Sequence, residues 1–203
     1  MIKLLLLDVD GTLTDGKLHL LESSAPISPN VCVDSGMTDI NFSDKSRANP
    51  SPESNLAESM LVQECKSFHV HDGLGIVAWR KLGREVAIIS GRESRILAAR
   101  ARELGITRVF MGVGDKSNIA RNIIAGLGLS KDEVACIGDD LNDLGMFREC
   151  GLCFTPANAC AYLKSKAHIQ LSKSGGEGVV REMIEYILQR NEEEYREFLA
   201  LYE

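Results

Sequence analysis

The stretch LLLLDVDGTLTDG, residues 4–16, begins with a run of four leucines, continues with three aspartates and contains no basic residue. The leucine run directly before the acids predicts a buried strand. Asp8, Asp10 and Asp15 repel one another at this spacing, and the repulsion costs stability unless a cation neutralises it. The stretch therefore indicates a strand that carries carboxylates to a cation-binding site.

The composition is that of an ordinary globular protein, with 203 residues, 44% hydrophobic residues and a net charge of -6. The length suits one catalytic domain over residues 1–203. The acidic balance argues against nucleic acid as a partner, and no apolar run approaches the roughly 20 residues of a membrane span. Acids follow Leu7 where a signal peptide would have its cleavage site, so we expect a cytoplasmic protein with no membrane partner.

Cys150 and Cys153 form the one C-x-x-C pair among the six cysteines. A reactive pair needs its first thiol at a helix N-terminus, whereas Cys150 comes at the end of a helical pattern. A zinc site would need a second ligand pair at normal spacing, and the sequence offers none. We therefore expect these cysteines to be structural.

Short aliphatic runs alternate with amphipathic patterns along most of the chain. This alternation predicts an α/β fold with a doubly wound, mostly parallel sheet that has helices on both faces. The predicted strands are residues 3–8, 85–90, 108–111, 134–138, 152–155 and 168–170. The predicted helices are residues 72–82, 93–104, 116–127, 141–150 and 178–190. Four of them are followed by a glycine stop signal, at Gly83, Gly105, Gly128 and Gly151.

Residues 17–70 break the alternation. Their flanks, 17–21 and 61–70, predict the two arms of a projecting β-hairpin. Residues 23–59 hold four of the five prolines and many Ser and Asn residues, which predicts a long, flexible loop insertion. At the other end, the acidic tail 191–203 has aromatic residues at helical spacing, which is typical either of a solvated, frayed helix or of one that docks onto a partner subunit.

Polar side chains follow four of the predicted strands at the point where each strand ends. Because parallel strands end at one edge of a sheet, these loops should meet there and bind a ligand. They offer carboxylates that suit Mg²⁺, a hydroxyl with backbone N–H groups at a turn, and a lysine, which together suit phosphoryl transfer. One aspartate can act as the nucleophile and another as the general acid and base. The loops supply Asp8, Asp10, Ser90, Gly91, Lys116, Asp139, Asp140, Asn142 and Asp143.

The motifs DVDGTLTDG, IISGR, GDK and IGDDLND resemble the four motifs of haloacid dehalogenase-type phosphatases. The resemblance implies that Asp8 is the nucleophile and Asp10 the general acid and base. It further implies that Ser90 and Lys116 bind phosphate, with Lys116 also catalytic, and that Asp139 ligates Mg²⁺ beside Asp8 and the Asp10 backbone carbonyl. The residues expected to orient the site are Thr14, Asp140 and Asp143.

The segments KSFHVHDGLGI and GGEGVVREMIEYIL resemble the capless branch that dephosphorylates 3-deoxy-D-manno-octulosonate 8-phosphate (KDO 8-phosphate) in lipopolysaccharide synthesis. The resemblance implies a homotetramer in which a neighbouring subunit helps to close each active site. It also implies contacts with the sugar phosphate from Gly91, Arg92, Asn142, His71 and Asp72, besides the phosphate-binding residues.

Two alternatives stay open on the sequence. Nine-carbon ulosonate 9-phosphate phosphatases are similar to this chain but tend to carry an acid where it has Arg92, which favours the eight-carbon substrate. Related domains also serve as idle oligomerisation modules, but the complete catalytic set of Asp8, Asp10, Lys116 and Asp139 favours an enzyme. His69 and His71 stand where the branch commonly has Asn and Arg; a histidine metal pair on a strand lacks a third ligand.

Overall fold

The computed structural model describes residues 1–23 and 61–203. The predicted insertion at 23–59 lies outside the described residues, apart from Ser23. The described chain forms two compact units, one of Met1–Leu18 with Lys66–Glu203 and the other within His19–Cys65. The strands are β1 (Leu4–Leu7), β2 (His19–Ser23), β3 (Leu61–Cys65), β4 (Glu85–Ile89), β5 (Arg108–Phe110), β6 (Val134–Ile137), β7 (Leu152–Thr155) and β8 (Ile169–Gln170).

The larger unit is built on a six-stranded sheet in the order β5-β4-β1-β6-β7-β8, and every pairing in it is parallel. The chain runs outward from β1 to β4 and β5, and then returns to the other side of β1 for the remaining three strands. The carboxyl end of β1 therefore lies at the point where the strand order reverses, which is where sheets of this kind bind ligands. The six predicted strands and the parallel sheet are confirmed.

The α-helices cover both faces of this sheet. They are α1 (Val70–Lys81), α2 (Arg95–Glu103), α3 (Lys116–Gly126), α4 (Leu144–Glu149), α5 (Ala161–Lys164), α6 (Val179–Leu188) and α7 (Glu192–Leu199). In β1, Leu5 and Leu7 pack with α1, α2 and α6, whereas Leu4 and Leu6 pack with α3 and α4. Because successive side chains of a strand point to opposite faces, this split explains why all four leucines are fully buried.

The glycine stop signals are confirmed at three of their four positions. Gly83, Gly105 and Gly128 have φ values of 75°, 68° and 65° just beyond α1, α2 and α3, in the left-handed region where glycine carries no steric penalty. Gly151 does not have a positive φ. A Cβ atom there would lie 2.7 Å from the Lys131 carbonyl oxygen, so close backbone approach is its reason for being glycine.

The predicted helix 141–150 is two elements, a 3₁₀ turn at Leu141–Asp143 followed by α4. Cys150 comes directly after α4, and both Cys150 and Cys153 are buried free thiols. Their burial agrees with the expectation of structural cysteines.

The C-terminal tail differs from the prediction of a solvated helix. Phe198 on α7 is buried in the main core, and Glu194 forms a buried ion pair with Arg84 at 2.7 Å. The interpretation as a frayed, solvated helix is wrong, because the aromatic stripe of α7 packs against its own chain.

The smaller unit contains the antiparallel pair β2–β3, in which His19 lies opposite Cys65 and Ser23 opposite Leu61. These two strands overlap the predicted hairpin arms 17–21 and 61–70, although the second strand ends at Cys65. Among residues 1–23 and 61–203, no helix combines the length and apolar character that crossing a membrane requires.

Candidate active site

The loops after β1, β4 and β6 meet at one edge of the sheet, as the motif positions predict. They line a cavity of about 410 Å³. The lining residues are Asp8, Asp10, Gly16, Gly91, Arg92, Asp139, Asp140, Leu141 and Asn142. Four of the nine are carboxylates from the loops after β1 and β6, so the cavity is acidic on that side.

Lys116 joins two buried carboxylates below this cavity. Its Nζ atom lies 2.5 Å from Asp8 Oδ1 and 2.6 Å from Asp143 Oδ1, and all three side chains are almost fully buried. Burial acts to lower the pKa of Lys116, but attraction to Asp8 and Asp143 outweighs it, and the pKa is raised. Lys116 is therefore a fixed positive charge at the base of the site.

The single charge of Lys116 does not neutralise the three carboxylates that lie around it. Oxygens of Asp8, Asp139 and Asp143 lie within 4.8 Å of one another. Burial raises the pKa of Asp8 well above its usual range, and the charge of Asp143 adds to this effect against the opposing effect of Lys116. Burial, followed by the charge of Asp143, raises the pKa of Asp139 to about 6. Carboxylate oxygens crowded in this way fit a divalent cation such as Mg²⁺. The cation would neutralise the repulsion among the aspartates that the sequence indicated.

Asp143 also shapes the loop after β6. Its second oxygen, Oδ2, accepts hydrogen bonds from the backbone N–H groups of Asp139 at 3.0 Å and Asp140 at 3.3 Å. Asp140 in turn caps the 3₁₀ turn by accepting from the Leu141 N–H at 2.8 Å. Opposite this loop, a Cβ atom on Gly11 would overlap the Asp139 carboxylate. Glycine in the D-x-D-G motif thus lets the loops of β1 and β6 approach each other.

Asp10 is held separately from this cluster. Lys66 Nζ donates a short hydrogen bond to Asp10 Oδ1, and Arg92 Nε lies 3.9 Å from Asp10 Oδ2. The Asp10 side chain is one-quarter exposed and lines the cavity. Its carboxylate is not a member of the three-carboxylate cluster, which agrees with an expected metal contact through its backbone carbonyl and leaves the side chain for proton transfer.

The turn after β4 carries the predicted phosphate-binding residues. Ser90 is buried, and its Oγ accepts a 3.1 Å hydrogen bond from the Arg92 N–H, which closes the turn. Gly91 and Arg92 line the cavity, and a Cβ on Gly91 would lie 3.7 Å from Asn142 Nδ2. The loops of β4 and β6 are therefore neighbours across the cavity. Helix α2 begins only at Arg95, after its N-cap Ser94.

Thr14 lies inside the first loop and supports its shape. The Thr14 hydroxyl donates to the Val9 carbonyl at 3.3 Å and accepts from the Gly16 N–H at 3.4 Å. The side chain is buried, so its role is to hold the turn that presents Asp8 and Asp10.

His71 and Asp72 are not among the cavity-lining residues. His71 is in the first turn of α1, where its N–H donates to Nδ1 of the N-cap His69 at 3.2 Å. The two histidines thus belong to a helix start and not to a strand as predicted. Asp72 is buried, and its Oδ1 accepts a 2.8 Å hydrogen bond from the Arg181 N–H at the start of α6. This placement argues against the predicted substrate contact of Asp72 and gives it a capping role.

Among the described residues, Lys66 is a charged residue of the site that the sequence interpretation missed. It follows β3 directly, just as the recognised site residues follow their strands, and this position was the available signal. A single lysine after a strand of a hairpin is, however, usually a solvated surface residue. Its pairing with Asp10 joins residues that are 56 positions apart in the sequence, which local pattern does not report.

Comparisons with known proteins agree with this geometry. Residues 107–183 match a family model described as haloacid dehalogenase-like hydrolase. The chain is 35% identical over 188 residues to the 3-deoxy-D-manno-octulosonate 8-phosphate phosphatase of Haemophilus influenzae, a match that covers 93% of this chain and 83% of the relative.

Two solved structures share the fold along almost the whole chain. One is the KDO 8-phosphate phosphatase of Moraxella catarrhalis in complex with a magnesium ion, a phosphate ion and KDO, with a TM-score of 0.75, 31% identity and coverage of 100% of this chain and 94% of that one. The other is the cobalt-bound form of the Haemophilus influenzae enzyme, with a TM-score of 0.71, 33% identity and coverage of 98% and 96%. This chain therefore belongs to the 3-deoxy-D-manno-octulosonate 8-phosphate phosphatase family of haloacid dehalogenase-like hydrolases.

Proposed function

We propose that this protein is a Mg²⁺-dependent phosphomonoesterase that hydrolyses KDO 8-phosphate to KDO and phosphate, within lipopolysaccharide synthesis. The observation that carries the proposal is the arrangement of Asp8 between Lys116 and the Asp139 carboxylate at the edge of an open cavity. The similarity to a structure that contains magnesium, phosphate and KDO supports the choice of substrate.

Asp8 and Asp139 would hold the metal, together with the backbone carbonyl of Asp10. Asp143 is less available, because its two oxygens already accept from Lys116 and from two backbone N–H groups. When bound, Mg²⁺ offsets the negative charges of the phosphate and of the carboxylates around it.

The reaction then uses two carboxylates in two steps. An Asp8 oxygen forms a bond to phosphorus while the bond from phosphorus to the sugar oxygen breaks, and Asp10 gives that oxygen its proton. The product of this step is an aspartyl-phosphate on Asp8. Asp10 then takes a proton from a water molecule, which attacks phosphorus, releases phosphate and returns Asp8 to a carboxylate.

The chain's cations and turn atoms support these steps. Lys116 holds Asp8 in position and supplies positive charge where phosphate oxygens gather. Ser90 and the Gly91 N–H form the phosphate cradle. Arg92 and Asn142 line the cavity and would contact the sugar acid. Arg92 in particular offers a planar cation for its carboxylate.

We further propose that the protein is a cytoplasmic homotetramer. Leu141 lines the cavity and is 54% exposed, so a neighbouring subunit over the cavity would cover an apolar side chain and exclude water from the reaction. The cysteines of the described residues are free thiols, which fits a reducing compartment. Light scattering coupled to size-exclusion chromatography measures the mass of the assembly, and a monomer at enzyme-assay concentration would contradict this part of the proposal.

Phosphate release by the purified protein with Mg²⁺ tests the activity. The substrates are the eight-carbon and nine-carbon ulosonate phosphates, hexose phosphates and nucleotides, and the variants are Asp8→Asn and the control Asp132→Asn at an exposed turn. We expect a strong preference for KDO 8-phosphate that Asp8→Asn abolishes and Asp132→Asn preserves. Preference for a nine-carbon substrate would overturn the substrate assignment. Absence of activity on every substrate would favour the idle oligomerisation module.

A further inference from the structure

We infer that Lys66 is a positioning residue for Asp10, holding its carboxylate in the orientation needed for proton transfer. This inference rests on the proposed function, since it concerns the general acid and base of that reaction. It assigns a role to a lysine in the segment between β3 and α1.

The contact between the two residues is buried on the side of the lysine. Lys66 Nζ donates to Asp10 Oδ1, and the Lys66 side chain is only 3% exposed, against 25% for Asp10. Asp10 lines the cavity, whereas Lys66 is not among its lining residues. Lys66 therefore contacts Asp10 from outside the cavity lining. A substrate in the cavity would contact Asp10 and not Lys66.

The other oxygen of Asp10 has a different environment. Arg92 Nε lies 3.9 Å from Oδ2, beyond the distance of a direct hydrogen bond, and the Arg92 side chain is 45% exposed and lines the cavity. The buried lysine thus distinguishes the two oxygens. Lys66 bonds to Oδ1, while the cavity-lining Arg92 lies near Oδ2.

The difference between the two oxygens matters because Asp10 must donate and accept a proton at the same position in the site. Without a partner, a carboxylate can rotate about its Cβ–Cγ bond and exchange its oxygens. A charge-assisted hydrogen bond from a buried lysine opposes that rotation. Because a displacement of about 1 Å can lower a rate by about 10²-fold, loss of the lysine should slow catalysis without weakening substrate binding.

The two buried lysines of the site therefore have separate tasks. Lys116 contacts Asp8 and Asp143, and Lys66 contacts Asp10. The D-x-D motif places its two carboxylates two residues apart, and each receives its own cation from a distant part of the chain. This separation suits a nucleophile and a proton-transfer group that must not exchange roles.

A double-mutant cycle tests the inference with wild type, Lys66→Met, Asp10→Asn and the double variant. Two substrates are used, KDO 8-phosphate and p-nitrophenyl phosphate. The nitrophenolate leaves without a proton, so that the residual turnover of Asp10→Asn stays measurable. We expect Lys66→Met to lower kcat on KDO 8-phosphate by about 10²-fold with KM within about twofold, and Lys66→Arg to recover part of the loss. On p-nitrophenyl phosphate, Lys66→Met should have no further effect once Asp10 is Asn.

If the fold losses in kcat of the two single variants multiply in the double variant, Lys66 acts independently of Asp10 and the inference is overturned. A raised KM with unchanged kcat in Lys66→Met would overturn it in favour of a substrate-binding role. Lys3→Met is the matched control, because Lys3 pairs with Glu133 at 2.6 Å at the opposite end of β1. Its kcat should equal that of wild type. A wild-type enzyme that hydrolyses p-nitrophenyl phosphate but not KDO 8-phosphate would refute the proposed substrate, while the cycle would still decide the role of Lys66.

Discussion

Asp143 accepts a 2.6 Å hydrogen bond from Lys116 at a depth where neither side chain reaches solvent. The same carboxylate organises the loop after β6 through the N–H groups of Asp139 and Asp140. One side chain therefore links the lysine of the site to the loop that carries Asp139. Its importance should show in stability as well as in activity.

Asp143→Ala should lower the free energy of unfolding by about 3 kcal/mol. This is the low end of the cost of breaking a buried ion pair, because Lys116 keeps Asp8 as a partner. Urea denaturation of the metal-free protein measures the change. Asp140→Ala is the control, since Asp140 is exposed and only caps a 3₁₀ turn, at a cost of about 1 kcal/mol. Equal losses of unfolding free energy in Asp143→Ala and Asp140→Ala would show that the buried ion pair stabilises the fold no more than the exposed cap does.

Magnesium should stabilise the folded protein, because it relieves the repulsion among Asp8, Asp139 and Asp143. At a free Mg²⁺ concentration about 100 times the Kd, the gain is about 2.7 kcal/mol. Thermal denaturation with and without a chelator measures it. Asp139→Asn should reduce the effect of Mg²⁺, whereas Asp132→Asn should leave it intact. A Tm that does not respond to Mg²⁺ would argue against a cation in the carboxylate cluster.

Asp72 should make stability depend on pH. Burial raises its pKa above the ordinary value of 3.8, against the opposing effect of the hydrogen bond from Arg181. The native state thus holds the proton more tightly than the unfolded state does. Relative to Asp72→Asn, the wild type is most stable below 3.8 and loses stability as the pH rises from 3.8 to the raised native pKa.

Urea denaturation of wild type and Asp72→Asn between pH 4 and 7 measures this difference. The Asn side chain keeps an oxygen that can accept from the Arg181 N–H, so the comparison isolates the charge. A difference that grows in favour of the wild type with rising pH would contradict the assignment of Asp72 as a buried carboxyl with a raised pKa.

The ion pair between Arg84 and Glu194 should anchor α7. Glu194→Ala leaves Arg84 buried with an unpaired charge, although Arg84 still stacks on Trp79 at 4.6 Å. We expect a loss of about 3 kcal/mol or more in the free energy of unfolding. Glu197→Ala, at an exposed position on the same helix, should change it by less than about 0.5 kcal/mol. Similar values for the two variants would mean that α7 does not depend on the pair.

Much of the fold and the main site residues could be predicted from local pattern. The leucines of β1, the alternation of aliphatic runs with helical periodicity, and the glycines after α1, α2 and α3 report conformations set by near neighbours in the chain. Each motif residue comes in the loop after a strand or at the start of the helix that follows it, and parallel strands end together. Asp8, Asp139 and Lys116 could therefore be placed at one edge without coordinates.

The pairings between loops could not be predicted in this way. Lys66 and Asp10 are 56 residues apart, and Asp72 caps a helix start 109 residues away. The tail was expected either to be solvated or to dock onto a partner subunit, yet Glu194 pairs with Arg84 of the same chain, 110 residues away in sequence. Periodicity tells which face of an element is apolar, but the partner of a buried charge depends on the path of the crossovers between elements. For this protein the local pattern specified the sheet and its acidic edge, and the packing of distant segments placed Lys116 beside Asp8 and Asp143 and Lys66 beside Asp10.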